Sequence, residues 1–493
     1  RRTTGNEMKI LFLSPEAAPF AKTGGLADVG GSLPGALVRQ GAEVLVVVPL
    51  YRVTREKDLD LRPIGRTISV RLGAQVLGVN VYETEVEGRL KVCFIEREDM
   101  FDRPNLYGNS GGDYYDNLER FSLYAHAALK LAEALPFRPS VIHCHDWQTG
   151  LVPPLVKGPY GSSETVGRVP TVFTIHNIGY QGLFPSEKLA VTALSGADFY
   201  HAEGLEYWGN ISLLKAGIVY ATAVTTVSPR YSREIQTREY GRGMEGVLSN
   251  RKKDLHGILN GVDYGAWDPA IDRLIPCNYS PRHMSGKGRC KTSLMEEMGI
   301  APAFREKPLL GMISRLDTQK GLDLLLEIVD TLLEMEVALV VLGTGEEQIQ
   351  QGLKHAANRH PGKIGIEIGF NEGLAHRIMA GADLFLIPSR YEPCGLTQMY
   401  ALKYGTVPLV RATGGLDDTI VAFDPQTGEG TGFKFSEYSS GSFLRAIEAA
   451  LTVYQNKWLW GKLMANGMQA DFSWDHSAGQ YLDLFRSISM KRV

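Results

Sequence analysis

A carboxylate, Glu392, lies between an apolar run, Asp383-Leu-Phe-Leu-Ile-Pro388, and Thr397-Gln-Met-Tyr-Ala-Leu-Lys403. The first run predicts a buried parallel strand and the second a helix. Ser389-Arg-Tyr-Glu-Pro-Cys-Gly-Leu-Thr-Gln398 therefore joins a strand's carboxyl end to a Gly-opened helix start. Free N–H groups at such a start attract anions, so the pairing suits a polar, phosphate-bearing ligand. Other candidates at predicted strand ends are Lys22, Gly24, Gly25, His143, His145, Asp146, His176, Asn177 and Asn260, then Arg315, Lys320, Cys394, Gly395 and Thr413–Gly415. Lys22-Thr-Gly-Gly would let the backbone approach a phosphate beside a cation, although the G-x-x-x-x-G-K-S/T order of a P-loop is missing. Arg315 and Lys320 flank a strand-to-helix turn and could neutralise a diphosphate, Arg through forked hydrogen bonds and Lys as a point charge. Gly343-x-Gly345 begins like a dinucleotide fingerprint, but Gln348 replaces its third glycine. His143-x-His145-Asp146 supports a rival, since two imidazoles at i and i+2 share one side of a strand. With Asp146 and His176 they could hold a metal for a hydrolase. No second cluster of ligands accompanies them, and a core or hydrogen-bonding role for His143 is the stronger reading.

Strands and helices must position these groups. Met8–Leu13 predicts a strand, followed by the Gly-rich loop Lys22–Asp28, a helix over Val29–Gln40 and a β-branched strand, Glu43-Val-Leu-Val-Val-Val48. Continuous apolar strands alternating with helices mark a parallel sheet covered on both faces. Residues 64–97 differ: alternating runs at Thr67–Leu72, Gly78–Thr84 and Leu90–Ile95 around Glu87-Gly88 predict an antiparallel insertion. The alternation resumes with an amphipathic helix over Leu118–Leu135 and strands at Val141–Asp146 and Thr171–Asn177. It continues through Leu213–Tyr220, Val224–Val227 and Ile258–Val262. From Tyr264 to Lys307 the chain is looser, with one helix at Cys290–Met298, and reads as the passage between domains. The pattern restarts with strands over 309–315, 337–342, 364–369, 383–388 and 407–411. Helices alternate with them over 321–335, 346–359, 373–380 and 442–455, and a last one covers Ser477–Ile488. Two tandem doubly wound α/β domains result, with Thr23-Gly-Gly-Leu26 and Thr413-Gly-Gly-Leu416 as a faint echo between them. Ligands in such sheets bind at the carboxyl ends of strands, and the groove between two facing domains is the expected active site.

The bulk numbers exclude several classes. A chain of 493 residues is too long for one core, and 52 basic against 55 acidic residues present no nucleic-acid surface. Five scattered cysteines without C-x-x-C spacing point to a reducing compartment, the cytoplasm, and away from a disulfide framework or structural zinc. No apolar run reaches the length of a membrane span. Residues 1–7 precede Met8, lack a hydrophobic region and read as an appended remnant, not a signal peptide.

Six blocks together resemble the bacterial glycogen synthase and plant starch synthase family. They are Lys22-Thr-Gly-Gly-Leu-Ala-Asp-Val29, His145-Asp-Trp147, His176-Asn-Ile-Gly-Tyr-Gln-Gly182, Leu259-Asn-Gly-Val-Asp263, Ser314-Arg-Leu-Asp-Thr-Gln-Lys-Gly321 and Ser389–Gln398. The resemblance implies a GT-B type retaining glycosyltransferase with two Rossmann-like domains facing a deep cleft. One domain would cover 8–265 plus 474–493, with the last helix crossing back, and the nucleotide-sugar domain would cover 266–473. The implied donor is ADP-glucose and the acceptor the non-reducing end of an α-1,4-glucan such as glycogen. A relative that uses UDP-glucose or makes a different α-glucan is the nearer alternative. A glucan binder without catalysis is a more distant one, and Lys22, Arg315, Lys320 and Glu392 count against it because a pure binder needs no leaving-group cations. By matching position, Lys22, Gly24, Gly25 and Asp28 would serve the donor's phosphate and glucose region. Arg315 and Lys320 would bind the leaving diphosphate, and Glu392 the glucose hydroxyls. Cys394, Gly395, Leu396 and Thr397 would serve sugar and phosphate, and Phe370 the adenine. His176 would lie near the reacting carbon, with Asp146 and Asn260 placing the sugars. The resemblance favours front-face attack over a covalent intermediate. No cofactor, metal, membrane or nucleic acid is implied, and a homo-oligomer is left open. The sequence shows no appended carbohydrate-binding domain or transit-like extension, which favours a bacterial enzyme over a plastid one.

Overall fold

Runs such as Glu43-Val-Leu-Val-Val-Val-Pro49, buried from Val44 onward, form strands because both neighbours in the sheet are themselves apolar and parallel. In the computed structural model, which describes residues 8–87, 89–109 and 111–490, such runs build two separate sheets. The expectations for residues 1–7 and for Gly88 lie outside the described residues. The chain divides into two compact units: one runs to Gly261 and resumes at Trp474, and the other is Val262–Ser473.

In the first unit the strands are β1 (Lys9–Leu13), β2 (Glu43–Pro49), β3 (Arg62–Leu72), β4 (Gln75–Val86) and β5 (Leu90–Glu96). A small ladder, β6 (Gly108–Asn109) with β7 (Gly112–Asp113), comes next. Then follow β8 (Val141–His145), β9 (Thr171–Ile175), β10 (Leu183–Pro185), β11 (Glu206–Tyr207), β12 (Asn210–Ser212), β13 (Ala223–Thr226) and β14 (Leu255–Gly257). The main sheet has the order β14-β13-β9-β8-β1-β2-β5-β4-β3, parallel except for β3 and β4. The expected antiparallel insertion is thus a hairpin, and Leu90–Glu96 is itself a parallel neighbour of β2. From β1 the chain builds outward through β2 and β5, then returns to the other side of β1 with β8.

The second unit has β15 (Leu309–Ile313), β16 (Ala338–Gly343), β17 (Ile364–Ile368), β18 (Leu384–Ile387), β19 (Val407–Arg411) and β20 (Phe433–Phe435). Their order is β17-β16-β15-β18-β19-β20, all parallel, with a reversal between β15 and β18. Both sheets therefore share the doubly wound arrangement in which ligands bind where the strand order reverses. The Thr-Gly-Gly-Leu echo follows β1 in one unit and β19 in the other, so the two copies are not equivalent positions.

The helices depart from expectation in instructive ways. The first spans Gly25–Arg39, absorbing most of the expected loop and carrying Pro34 inside. Asn117–Ala134 is buried nearly all round, not amphipathic, because β3 and the turn at Ser186–Thr192 cover the face predicted to meet water. Its Arg120 is fully buried and donates to the Met100 and Leu106 carbonyls and to Asn117 Oδ1, so the charge is satisfied in the core. Leu255–Gly257, not Ile258–Val262, is the edge strand. Between the units' strands, Ser285–Glu297 begins five residues earlier than Cys290. Leu322–Glu334 buries Leu322, Leu325, Val329, Leu332 and Leu333 against Met312, Leu339 and Val341. The final helix, Trp474–Met490, inserts Trp474, Ala478, Tyr481 and Phe485 into the cluster of Ile10, Phe12, Val29 and Leu33. Ser477 Oγ donates to the Leu259 carbonyl (2.6 Å), and Arg39 pairs with Asp475 (2.8 Å). Among the described residues, no helix is long and apolar enough to cross a membrane.

Candidate functional site

In the second unit the candidates gather where β15 and β18 lie side by side. Asp317 Oδ1 accepts from the Lys320 N–H (3.0 Å), capping the tight turn Thr318–Lys320, while its Oδ2 pairs with Arg315 Nη1 (2.9 Å). Gly321 follows at φ +78, and a Cβ there would stand 2.2 Å from the Pro388 carbonyl oxygen. Only glycine allows the two loops to approach this closely. The Arg390 N–H donates to the Gln319 carbonyl (2.8 Å) and laces them together. Lys320 Nζ consequently meets Glu392 Oε2 at 2.5 Å, and Ser389 Oγ donates to the same oxygen at 3.1 Å. Glu392 is buried, whereas the Arg315 side chain is 55% exposed and held by Asp317 and Gln319. A rigid ion pair with a second, accessible guanidinium beside its turn is suited to an anionic leaving group.

The loop after Glu392 is shaped by two glycines. Gly395 sits at φ +72, and Gln398 Nε2 ties the loop by donating to the Cys394 and Gly395 carbonyls and to Thr419 Oγ1. Gly414, at φ +45, slides under it: a Cβ would fall 1.9 Å from the Glu392 carbonyl oxygen, and the Gly415 N–H donates to that oxygen. Leu396 and Thr397 open the next helix, and Cys394 is a buried thiol. Phe370, 88% exposed after β17, stands two strands from β15 and joins none of these hydrogen bonds.

In the first unit the candidates gather at the reversal between β1 and β8. Glu16 accepts from the Thr23 N–H and hydroxyl (both 2.6 Å) and from the Tyr107 hydroxyl (2.7 Å), which fastens the loop that carries Lys22. Lys22 is half-exposed and pairs with Asp28 (2.6 Å). Gly24 is the N-cap of the long helix and makes no side-chain cap bond, so the first N–H groups of the helix keep their anion-binding character. Nothing lies within 4 Å of where a Gly24 Cβ would stand. Sequence reasoning missed Glu16 and Tyr107; Ser14-Pro-Glu16 directly after β1 was the available signal.

Past β8, Asp146 adopts φ +56, unusual for a non-glycine residue, and its Oδ1 accepts from the His176 N–H (2.7 Å). Burial pushes its carboxyl up to about 7, the Glu16 carboxylate adds to this, and the His176 and Asn177 N–H groups oppose it. His145 Nδ1 and His176 Nε2 share a proton-mediated contact at 2.9 Å. Burial pulls His143 and His176 down to about 3 and His145 well below its ordinary value, so all three imidazoles are neutral at pH 7. His145 Nε2, Gln148 Oε1 and Asn260 Oδ1 are buried atoms with no hydrogen-bond partner, the state expected of groups that meet a ligand or water. His143 contacts Thr174 Oγ1 (2.7 Å) and packs edge-on or tilted against Phe12, Tyr481 and Phe485 in the core. Among the described residues no group of three or more His, Cys, Asp or Glu could hold a metal ion, so the hydrolase reading finds no ligand set.

Comparison with known proteins matches nearly the whole chain. Residues 9–250 match the starch synthase catalytic domain family, and residues 296–457 match glycosyl transferases group 1. The glycogen synthase of Anaeromyxobacter sp. (strain Fw109-5) is 46% identical over 483 residues, covering 98% of this chain and 100% of its own. Glycogen synthase 2 of Geobacter sulfurreducens is 44% identical, covering 97% and 98%. The catalytic domain of starch synthase IV from Arabidopsis thaliana, solved with ADP and acarbose, superposes with a TM-score of 0.90 at 32% identity, covering 98% of this chain and 100% of that one. A sucrose-phosphate synthase from Thermosynechococcus elongatus, at TM-score 0.61 and 17% identity, shares the fold alone. The chain belongs to the family of glycogen and starch synthases, glycosyltransferases of the GT-B fold built from two Rossmann-like domains.

Proposed function

We propose that this protein transfers glucose from ADP-glucose to the non-reducing 4-OH of an α-1,4-glucan in the cytoplasm, with retention of anomeric configuration. The observation that carries the reading is the Lys320–Glu392 pair at the β15/β18 reversal, with the accessible Arg315 guanidinium on the same turn. Breaking a glucosyl–phosphate bond builds negative charge on the diphosphate and positive charge on the sugar. Arg315 and Lys320 stabilise the first, and preorganised donors of this kind typically lower a barrier by about 2.7–4 kcal/mol each. Glu392 holds the glucose hydroxyls, and the Cys394–Thr397 backbone serves sugar and phosphate. Lys22, positioned by Asp28, and the Gly24–Gly25 backbone serve the donor's phosphate and glucose region, and Phe370 serves the adenine. Asp146 and Asn260 place the sugars. His176, neutral at pH 7, sits near the reacting carbon without adding a charge that would oppose the developing cation. A donor phosphate oxygen takes the acceptor's proton on the front face, which accounts for retention without a protein nucleophile. None of the five cysteines is in a disulfide, which fits a reducing compartment.

The test is incorporation of radiolabelled glucose from ADP-glucose and, separately, UDP-glucose into a glycogen primer, with β-amylase digestion of the product. Digestible label from ADP-glucose is expected, and Arg315→Ala should lose about 10²–10³-fold in kcat with an unchanged melting temperature. Incorporation from UDP-glucose alone would overturn the donor, and none from either would overturn the activity.

A further inference from the structure

Near the first unit's site, β11 and β12 form a hairpin whose two-residue turn is Trp208-Gly209. Both residues have positive φ, +51 and +81. That is the backbone signature of a turn that favours Asn-Gly or Asp-Gly and disfavours a bulky side chain at its first position. Trp208 nevertheless occupies it, and the residue is 85% exposed. The turn is braced: the Gly209 N–H donates to Glu206 Oε1 (2.7 Å), and the Tyr200 hydroxyl donates to the Gly209 carbonyl (3.0 Å). An indole held in solvent by a strained, fastened backbone is a feature to be explained by what it meets.

We propose that Trp208 is an outlying docking platform for the glucan acceptor. This rests on the glucan-transfer reading above and adds a binding contact to it. The ring meets Tyr207 edge-on, with centroids 6.4 Å apart, and its other hairpin neighbours, Glu206, Gly209 and Asn210, are not apolar side chains. A narrow aromatic patch therefore stands there and not the broad apolar surface that a protein partner would cover. A sugar chain matches such a surface, because the C–H face of a pyranose covers an aromatic ring while its hydroxyl edge meets polar groups. The hairpin is also joined to the site. Strand β12 pairs with β10, and the Leu213 N–H donates to the Gly182 carbonyl (3.0 Å). Gly182 lies against the ring of Trp147, where a Cβ would come within 2.6 Å, and Trp147 follows Asp146 directly. The platform therefore stands on the same stretch of chain that leads out from His176.

The experiment compares the full chain with Trp208→Ala, Trp208→Asn and Trp208→Phe by mobility in glycogen-containing native gels and by initial rates with glycogen. Because Asn suits this turn, Trp208→Asn should melt at or above the parent's temperature and still bind glycogen more weakly, which a merely structural tryptophan would not do. Both the Ala and Asn variants should raise the KM for glycogen by about 3- to 10-fold, more than any change in kcat, and Trp208→Phe should restore most of the loss. Equal retardation of the parent and both variants, or no retardation of the parent, would overturn the platform. A parent that is retarded but transfers no glucose overturns the activity instead, and leaves the gel comparison to decide Trp208.

Discussion

Asp146 carries a carboxyl that buried surroundings hold close to neutral pH, up to about 7 against an ordinary 3.8. A carboxyl raised on folding keeps its proton in the native state where the unfolded chain has lost it. Its contribution therefore costs nothing below the unfolded value, and it destabilises progressively as pH rises from about 4 to about 7, by at most about 4 kcal/mol. Asp146→Asn removes the cost and keeps the oxygen that accepts from His176. Its melting temperature should match the parent's at or below about pH 4, exceed it increasingly up to about pH 7 and by a constant margin above that; a difference independent of pH would contradict the buried-carboxyl account. At this scale the sequence pointed to Glu392, Lys320 and Asp146 because each lies past an apolar run. It did not disclose that Lys320 and Glu392 touch, since that contact depends on β15 and β18 being neighbours across 72 residues of chain. Glu16 escaped for a similar reason: its partners Thr23 and Tyr107 are brought to it by the fold.

Elements were legible where periodicity is strong and obscure where tertiary contacts decide. Val407–Arg411 and Leu213–Tyr220 have the bounds that their patterns suggest. Gly25–Arg39 begins earlier than expected, and inside it Gly30 and Gly31 pack onto the Glu16 and Ala18 carbonyls, so their lack of side chains is a packing need. Lys457–Gln469, Gly414–Thr419 and β20 went unread; the first has an Asn456 N-cap and buries Trp460, Leu463, Gly467 and Met468, but the exposed Trp458 and the glycines Gly461 and Gly467 blur that stripe in the sequence. The two helix-opening glycine pairs are also unlike in their tolerance. Gly414→Ala should destabilise the protein by about 1–3 kcal/mol, since it combines a left-handed backbone with a Cβ driven into the Glu392 carbonyl. Gly24→Ala meets no neighbouring atom at an extended φ of −161 and should stay within about 0.5 kcal/mol of the parent. Urea unfolding of both variants checks the contrast, and equal losses would contradict it.

At the scale of the whole molecule, the alternation of strands and helices was enough to announce two doubly wound sheets, but not the order of their strands. That order is what places the loops after β1 and β8 side by side in one unit and brings Lys320 against Glu392 in the other. The last helix ties the chain's two ends together, with Trp474, Tyr481 and Phe485 buried in the first unit's core. Removing an aromatic side chain from a core typically costs about 3–5 kcal/mol, and a domain's whole stability is about 5–15 kcal/mol. A chain ending at Ser473 should therefore lose hydrogen-exchange protection throughout β1–β14 while β15–β20 keep theirs; uniform protection would show the helix to be dispensable. The same arrangement bears on how the protein is made. Chains usually mature in the order in which they leave the ribosome. Here the second unit is complete while the first still waits for its last helix, so the N-terminal half is the later to close. The core beneath Lys22, Asp146 and His176 is thus completed only after the whole of Val262–Ser473 has been made.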